Sequence, residues 1–410
     1  MAKKAEKTPL TRSNWVQSFT LVGIAKVNEN YTFTINKKSE SSDWIYNRLN
    51  LGVDCGSRHG VVYAEMSGGY GSERTNNVIY VHGKNEDGSD DFKNQYTVAW
   101  NDREEESILE DLGEACFIRV GLEKDTKGET YTKKFLSPYD AIAYIQEHLE
   151  DGMVVNVRGQ LRYSIYNDKV QCRKEINSIY LSKAEPDAYR ATFVQTMLLD
   201  KDSAGKDTID LEKKVMYVNA YLLEKFKEFN GWDLTEGGKV KGGIFVPLRK
   251  TFEYDLSNKT PDQILKTYSS FFKIKKGVTQ ITFNGEFVET GATVQATEAD
   301  VTDDIKVLVD LGMYTMEQAI ALCAANGSVE RRMILTSVNV RKKENDDGTV
   351  TPIIQRTDEA FAEEDLQLDC LVPKETEDEE EVPFEEAMNA PEEMDEESAD
   401  LAALLASLQG

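Results

Sequence analysis

The strongest constraint on the fold of this 410-residue chain is that part of it occurs twice. Ser137-Pro138-Tyr139-Asp140 opens an apolar-periodic stretch that ends before Gly152, and a strand-like run with Gly159 at its centre follows. Thr260-Pro261-Asp262-Gln263 opens a second such stretch, ending near Gly277, and a run centred on Gly285 follows it. The intervals agree within two residues, 15 and 7 in the first copy and 17 and 8 in the second. A hydroxyl residue followed by proline is a physical helix start: the side-chain oxygen accepts from an orphan N–H, and proline has none to leave unpaired. Recurrence of helix, glycine and strand at one spacing marks a duplicated structural unit, and the length allows about two to four domains.

Ahead of the first helix, short β-branched and aromatic runs (WVQSFTLVGIAKV, YTFTI, WIYNRLNLGV, GVVYAEM, NNVIYVHG) alternate with polar turn signals, which predicts a β-rich barrel or sandwich. A helix, then a strand, then a hairpin at 163–168 into KVQCRKEINSIYLS is the order of the closing half of an OB barrel. In the second copy that hairpin is enlarged. Residues 303–325 are helical in pattern, with Thr315 and Gln318 as a capping box, and the final strand is expected over 331–342. The expected fold is therefore mainly β: two tandem OB-fold-like barrels with helical insertions, then a disordered acidic tail. The boundaries are a flexible N-terminus at 1–13, a first domain at 14–185, a second at 186–357 with Glu185-Pro186-Asp187 as the joint, and a tail at 358–410.

Charge separates the tail from the body. The chain has 48 Lys and Arg against 73 Asp and Glu, a net charge of −25. Residues 375–410 hold 14 acids and no Lys or Arg, so the preceding 374 residues carry only −11, and cations there can gather on one face. Dense like charge with few aromatics cannot bury enough apolar area to offset chain entropy, so the tail is expected to be disordered. Near its end Leu401, Leu404, Leu405 and Leu408 share one helical face, in a segment suited to fold only against a partner or the body. No run approaches the roughly 18 apolar residues of a membrane span and the start lacks a signal peptide's apolar core, so a cytosolic location is expected.

Catalytic and metal chemistry find little support. Cys55, Cys116, Cys172, Cys323 and Cys370 form no CxxC pair, and His59, His82 and His148 are dispersed. Neither a zinc site, a His/Cys cluster nor a catalytic triad is expected, and the cysteines read as buried free thiols. The glycine-rich SGGYGS at 67–72 lacks the Lys and Ser/Thr of a P-loop. No enzyme activity, cofactor or metal is expected.

Aromatic residues interleaved with cations are more informative. Single-stranded nucleic acid is held by aromatic faces on which bases stack, beside a positive groove that follows the phosphates. Trp44, Tyr46 and Arg48 share one strand parity, with Ile45, Leu49 and Leu51 on the other and Asn47 as its polar exception. Arg158, Arg162, Tyr163, Tyr166 and Lys169 surround the predicted hairpin, and Arg173 and Lys174 follow on the returning strand. In the second copy Arg249, Lys250, Phe252 and Tyr254 repeat the pattern of cations beside alternating aromatics, and Lys273, Lys275, Lys276, Arg331, Arg332, Arg341, Lys342 and Lys343 add charge. One such cluster is commonly a solvated face or barrel packing. Recurrence at matching places in two copies points to base stacking by the aromatics and phosphate contact by the cations.

These features together resemble the bacteriophage-type single-stranded-DNA-binding proteins built from two OB folds with an acidic C-terminal tail. The stretch GMVVNVRGQLRYSIYNDKVQCRKEINSIYLS is similar to the fourth and fifth strands of the bacterial members, where a glycine-bounded strand and flexible hairpin contact the DNA. Glu379, Glu380, Glu381, Val382, Pro383 and Phe384 resemble the acidic Pro-Phe tip by which that class recruits replication and repair partners. Here 26 residues follow Phe384, so docking falls to this tip, to the leucine face, or to both. The resemblance implies a protein that coats and protects single-stranded DNA during phage replication and recombination and recruits partners through its tail. The residues leave a second reading open, a virion structural or scaffolding protein with β domains and no affinity for nucleic acid. Self-association is also open.

Overall fold

The computed structural model describes residues 9–372, except 29, 125, 127, 241, 346–348 and most of 291–329. Most of the capping-box helix expected within 303–325, Gln318 included, and the acidic run from 373 onward, with its Pro383-Phe384 tip and leucine face, lie outside the described residues.

In the first copy five strands close on themselves. β1 (Gln17–Lys26) pairs antiparallel with β2 (Trp44–Asp54), and β2 with β3 (Val61–Gly71). β5 (Lys169–Leu181) meets β3 in parallel at Glu175↔Glu65 and β4 (Val154–Tyr166) in antiparallel, and β4 returns to β1. The period of two puts Leu49, Leu51 and Val53 of β2 and Val155, Val157 and Leu161 of β4 inside, each fully buried. Helix α1 (Pro138–His148) plugs the barrel between β3 and β4. Ser137 accepts from the Tyr139 N–H as N-cap, Pro138 takes the first position, and Ala141, Ile142 and Ile145 are fully buried. Each isoleucine contributes roughly 1.5–3 kcal/mol and the cap about 1 kcal/mol, so packing more than capping holds the helix.

The second copy runs the same circuit through β6 (Arg190–Leu199), β7 (Val215–Phe226), β8 (Ile244–Asp255), β9 (Val278–Thr290) and β10 (Glu330–Val338). β8 and β10 are parallel at Tyr254↔Leu335, as β3 and β5 are, and α2 (Pro261–Thr267) starts at a Thr260–Gln263 capping box. The repeat glycines share one physical cause, to which the Glu175 carbonyl, 1.8 Å from a Cβ at Gly159, adds a second in the first copy. Gly159 lies across from Phe19 and Gly285 across from Phe193. A Cβ would stand 2.8 Å from the Phe19 ring and 2.2 Å from the Phe193 ring, so only hydrogen fits beneath either phenylalanine. Both glycines also sit at a β-bulge, opposite Ile176 and Leu335.

The copies join edge to edge, β1 antiparallel to β6 with Phe19 directly across from Phe193. A buried polar network locks the joint. Gln17 Nε2 donates to Glu224 Oε1 (2.9 Å) and to the Leu161 carbonyl (2.6 Å), the Tyr163 N–H donates to the same Glu224 oxygen (3.2 Å), and Arg12 pairs with Glu224 at 2.9 Å. Removing one member of a buried ion pair costs about 3–5 kcal/mol, because the other charge is left uncompensated.

Three stretches differ from expectation. Leu10 and Arg12, expected in a flexible N-terminus, are packed, Leu10 being buried with Leu198, Leu223, Val278 and Leu366. Residues 358–372, expected in the tail, complete strand Arg356–Phe361, which pairs with β9, and make two 3-10 turns that bury Leu366 and Cys370. Phe361, Leu366, Leu368 and Leu371 precede the acidic run and give this stretch apolar area to bury. The last barrel strand ends at Val338 rather than 342, and a separate hairpin, Val340–Glu344 with Val350–Ile354, follows. Between β3 and α1 the chain builds a further hairpin, Val78–Lys84 with Asp90–Ala99, and a strand pair, Ile118–Lys124 with Thr130–Phe135, that extends the sheet from β5. No helix among the described residues is long and apolar enough to cross a membrane.

Candidate nucleic-acid interface

The outer face of β2 and β3 is where the expected residues converge. Trp44, Tyr46 and Arg48 point outward, while Asn47 is buried and satisfied: its Oδ1 accepts from the Asn36 N–H and its Nδ2 donates to the Tyr139 carbonyl, both at 2.7 Å. The register pairs Trp44 with Gly71, Tyr46 with Gly69, and Gly52 with Tyr63. Across this strand pair every aromatic on the face therefore has a glycine, while on its other side Tyr46 is paired with Lys37 of the strand Phe33–Lys38. Trp44 stays 37% exposed and Tyr63 48%.

Three arginines edge this face. A cleft is lined by Trp44, Tyr46, Arg48, Arg162 and Arg173 together with Glu65 and Glu175. Arg48 pairs with Glu65 at 3.1 Å, Arg173 with Glu65 at 3.7 Å, and Arg162 with Glu175 at 3.0 Å, each arginine side chain being about half exposed. Glu65 and Arg173 also line a second groove that runs between the barrels, with Lys26, Tyr31, Tyr63 and Lys250. At the β4–β5 hairpin tip Asn167 and Asp168 take positive φ (49° and 57°), the signature of a tight two-residue turn, and Tyr166 is 67% exposed beside Lys169. Arg158 is exposed on β4 next to Asn156 and does not line the cleft.

Four expected contacts are corrected. Tyr163 has the inward parity of Leu161; it is buried, its hydroxyl donates to Gln195 Oε1 at 2.9 Å, and burial pushes its phenol well above the ordinary range. Adjacent strand residues face opposite ways, so Arg162 and Tyr163 cannot share one surface. Lys174 likewise turns from Arg173 into the space between the barrels, where it pairs with Glu289 at 3.2 Å and lies 4.6 Å over the Phe287 ring. Phe252 and Tyr254 are core residues of the second barrel, Tyr254 packing against Phe272 and Phe283. The outer face there is instead Tyr217, Tyr221, Arg249 and Thr251, with the Arg249 guanidinium 5.7 Å over Tyr221.

Tyr31, Tyr63, Tyr217 and Tyr221 are the residues that sequence reasoning missed. The signal was present for three of them, since Tyr63 alternates with Val62 and Ala64, and Tyr217 and Tyr221 with Met216, Val218, Ala220 and Leu222. Among the described residues no group of three or more His, Cys, Asp or Glu side chains is placed to hold a metal ion, but one close Cys–His contact occurs. At the base of the insertion hairpin Cys116 Sγ lies 3.3 Å from His82 Nδ1, and His82 Nε2 lies 2.8 Å from Asp90 Oδ1. Burial raises the Cys116 thiol above its ordinary value, while the Ala115 N–H holds Asp90 below the usual carboxylate range, so the thiol stays protonated and packed.

No protein-family model matches the chain, and no curated protein matches it significantly. Among solved structures it is similar to a deletion mutant of the single-stranded DNA binding protein from Thermus aquaticus, at 10% identity and a TM-score of 0.26, over 67% of this chain and 88% of that chain.

Proposed function

We propose that the chain binds single-stranded DNA, without strong sequence preference, along the outer face of β2 and β3. The observation that carries this is the row Trp44, Tyr46 and Tyr63, each across from a glycine and flanked by Arg48, Arg162 and Arg173. Bases stack on such faces at about 1–3 kcal/mol each whatever their identity. Exposed ion pairs are worth about 0–1 kcal/mol, so these arginines exchange carboxylate for phosphate at little cost. Barrels of OB type bind oligonucleotides on strands two and three and the loops after strands one and four. Tyr31 lies in the first of those loops, and Tyr166 and Lys169 flank the second.

The chain then acts without catalysis, as a cytoplasmic coat on single strands in phage DNA replication and recombination. The acidic run at 375–410 competes with phosphate for the same cations at high effective concentration and, displaced by DNA, is free to recruit partner proteins. Fluorescence anisotropy of labelled oligo-dT of about 30–40 nucleotides, at two salt concentrations and with a duplex control, tests this. Tight, salt-sensitive binding to the single strand alone is expected. Absence of binding at low salt, by the full chain and by one lacking 375–410, rejects it.

A further inference from the structure

Past Arg173 the open face of the first barrel runs into the groove between the barrels. One wall carries Lys26, Tyr31, Tyr63 and Arg173, the other Lys250, Arg331 and Arg332. Most of these cations are answered by a carboxylate: Lys26 by Asp54 (3.8 Å), Arg173 by Glu65 (3.7 Å), Lys174 and Arg331 by Glu289 (3.2 and 3.5 Å), and Arg332 by Glu253.

Lys250 differs from them. It has the inward parity of Leu248 and Phe252, yet it is only half-buried and reaches this groove. Among the described residues no carboxylate stands within salt-bridge distance of its ammonium. The groups facing it across the groove are Cys172 and Lys174 of β5; burial keeps the Cys172 thiol protonated, and Lys174 is a like charge already spent on Glu289. A partly desolvated cation without a counter-charge is costly, and an anion in the groove offsets that cost. Beside it Tyr31, 77% exposed, and Tyr63 offer ring faces to the same space.

We propose that the groove takes the phosphodiester backbone of the bound single strand as it leaves the first barrel, with Lys250 on a phosphate and Tyr31 and Tyr63 stacking the neighbouring bases. This rests on the strand lying on β2 and β3, and it extends the first barrel's open face onto the groove wall that the second barrel supplies. The test uses full-length protein, Lys250→Gln and Lys250→Arg, each titrated with labelled oligo-dT of about 8 nucleotides, enough for one barrel, and of about 30, enough to enter the groove.

Lys250→Gln is expected to weaken the long probe about tenfold and to lower its salt slope by about 0.7, leaving the short probe unchanged. Lys250→Arg is expected to restore the long probe. Long-probe binding by Lys250→Gln equal to that of the unaltered protein overturns the groove and leaves the open face standing. Equal weakening of both probes overturns it too, by assigning Lys250 to the fold. Failure of the unaltered protein to bind either probe overturns the open face itself.

Discussion

On the first barrel Trp44, Tyr46 and Tyr63 each face a glycine across the strand pair, whereas the matching strands of the second barrel set Glu253 across from Tyr217 and Arg249 across from Tyr221. Arg332 then holds both oxygens of Glu253, and the Arg249 guanidinium lies over the Tyr221 ring. One surface is open to a flat ligand and the other is occupied by its own side chains. Inside, the barrels agree down to the phenylalanine packed on a bulge glycine. The interior is dictated by packing, which tolerates little change. Outward residues add little to stability, so the two faces are free to serve different ends.

The comparison breaks most readily on its shared side. Gly285→Val drives a branched side chain into Phe193, and Gly159→Val drives one into the Glu175 carbonyl and Phe19. Each is expected to cost about 3 kcal/mol or more, read as a fall in melting temperature. A large loss at one glycine and none at the other would mean that the interiors are not equivalent.

The outer faces give the next largest effect. Trp44→Ala is expected to weaken oligo-dT binding about 10- to 100-fold, the worth of one stacked base, and Tyr221→Ala by less than about threefold, since its ring is already covered by Arg249. Similar losses from both variants, measured by anisotropy, would erase the distinction between the faces.

The smallest effect sharpens the boundary between the barrels. Burial lowers the Lys250 ammonium below its ordinary value of 10.5, so folding expels a proton between the lowered value and 10.5, and stability rises with pH through that window. A bound phosphate favours the charged form, so affinity falls with pH through the same window. Cys172, Lys174 and Glu289 surround the site, and Cys172, raised by burial, titrates in the opposite sense. Buried Cys55 and Tyr163, both raised, titrate in that range as well, so the signature is the difference between Cys172→Ser and Cys172→Ser/Lys250→Gln: the melting-temperature difference is expected to rise with pH and the affinity difference to fall.

The duplication is legible in the sequence because its markers, Ser-Pro and Thr-Pro helix starts and glycines in fixed places, are local demands of backbone geometry. The face of β2 is legible for the same reason, since a period of two needs no tertiary knowledge. Phe252 and Tyr254 mislead because an alternating aromatic strand looks alike whether its rings point in or out. The choice is settled by which neighbours surround Leu248 and Phe272. Lys174 misleads because its partner, Glu289, stands 115 residues away on another barrel. The glycine partners of Trp44 and Tyr46 follow only from register, which the hairpin around residues 55–60 sets and composition does not express.

Edge-to-edge pairing of β1 with β6 has a directional consequence. The two strands are equivalent in their barrels and run antiparallel through Phe19 and Phe193, so the barrels are related locally by a half-turn. A polynucleotide has a 5′ and a 3′ end. A strand lying 5′ to 3′ along β2 and β3 would have to reverse to meet β7 and β8 in the same sense. The second barrel is thus no simple continuation of the first, and a ligand with polarity sees the duplicated chain as two different surfaces.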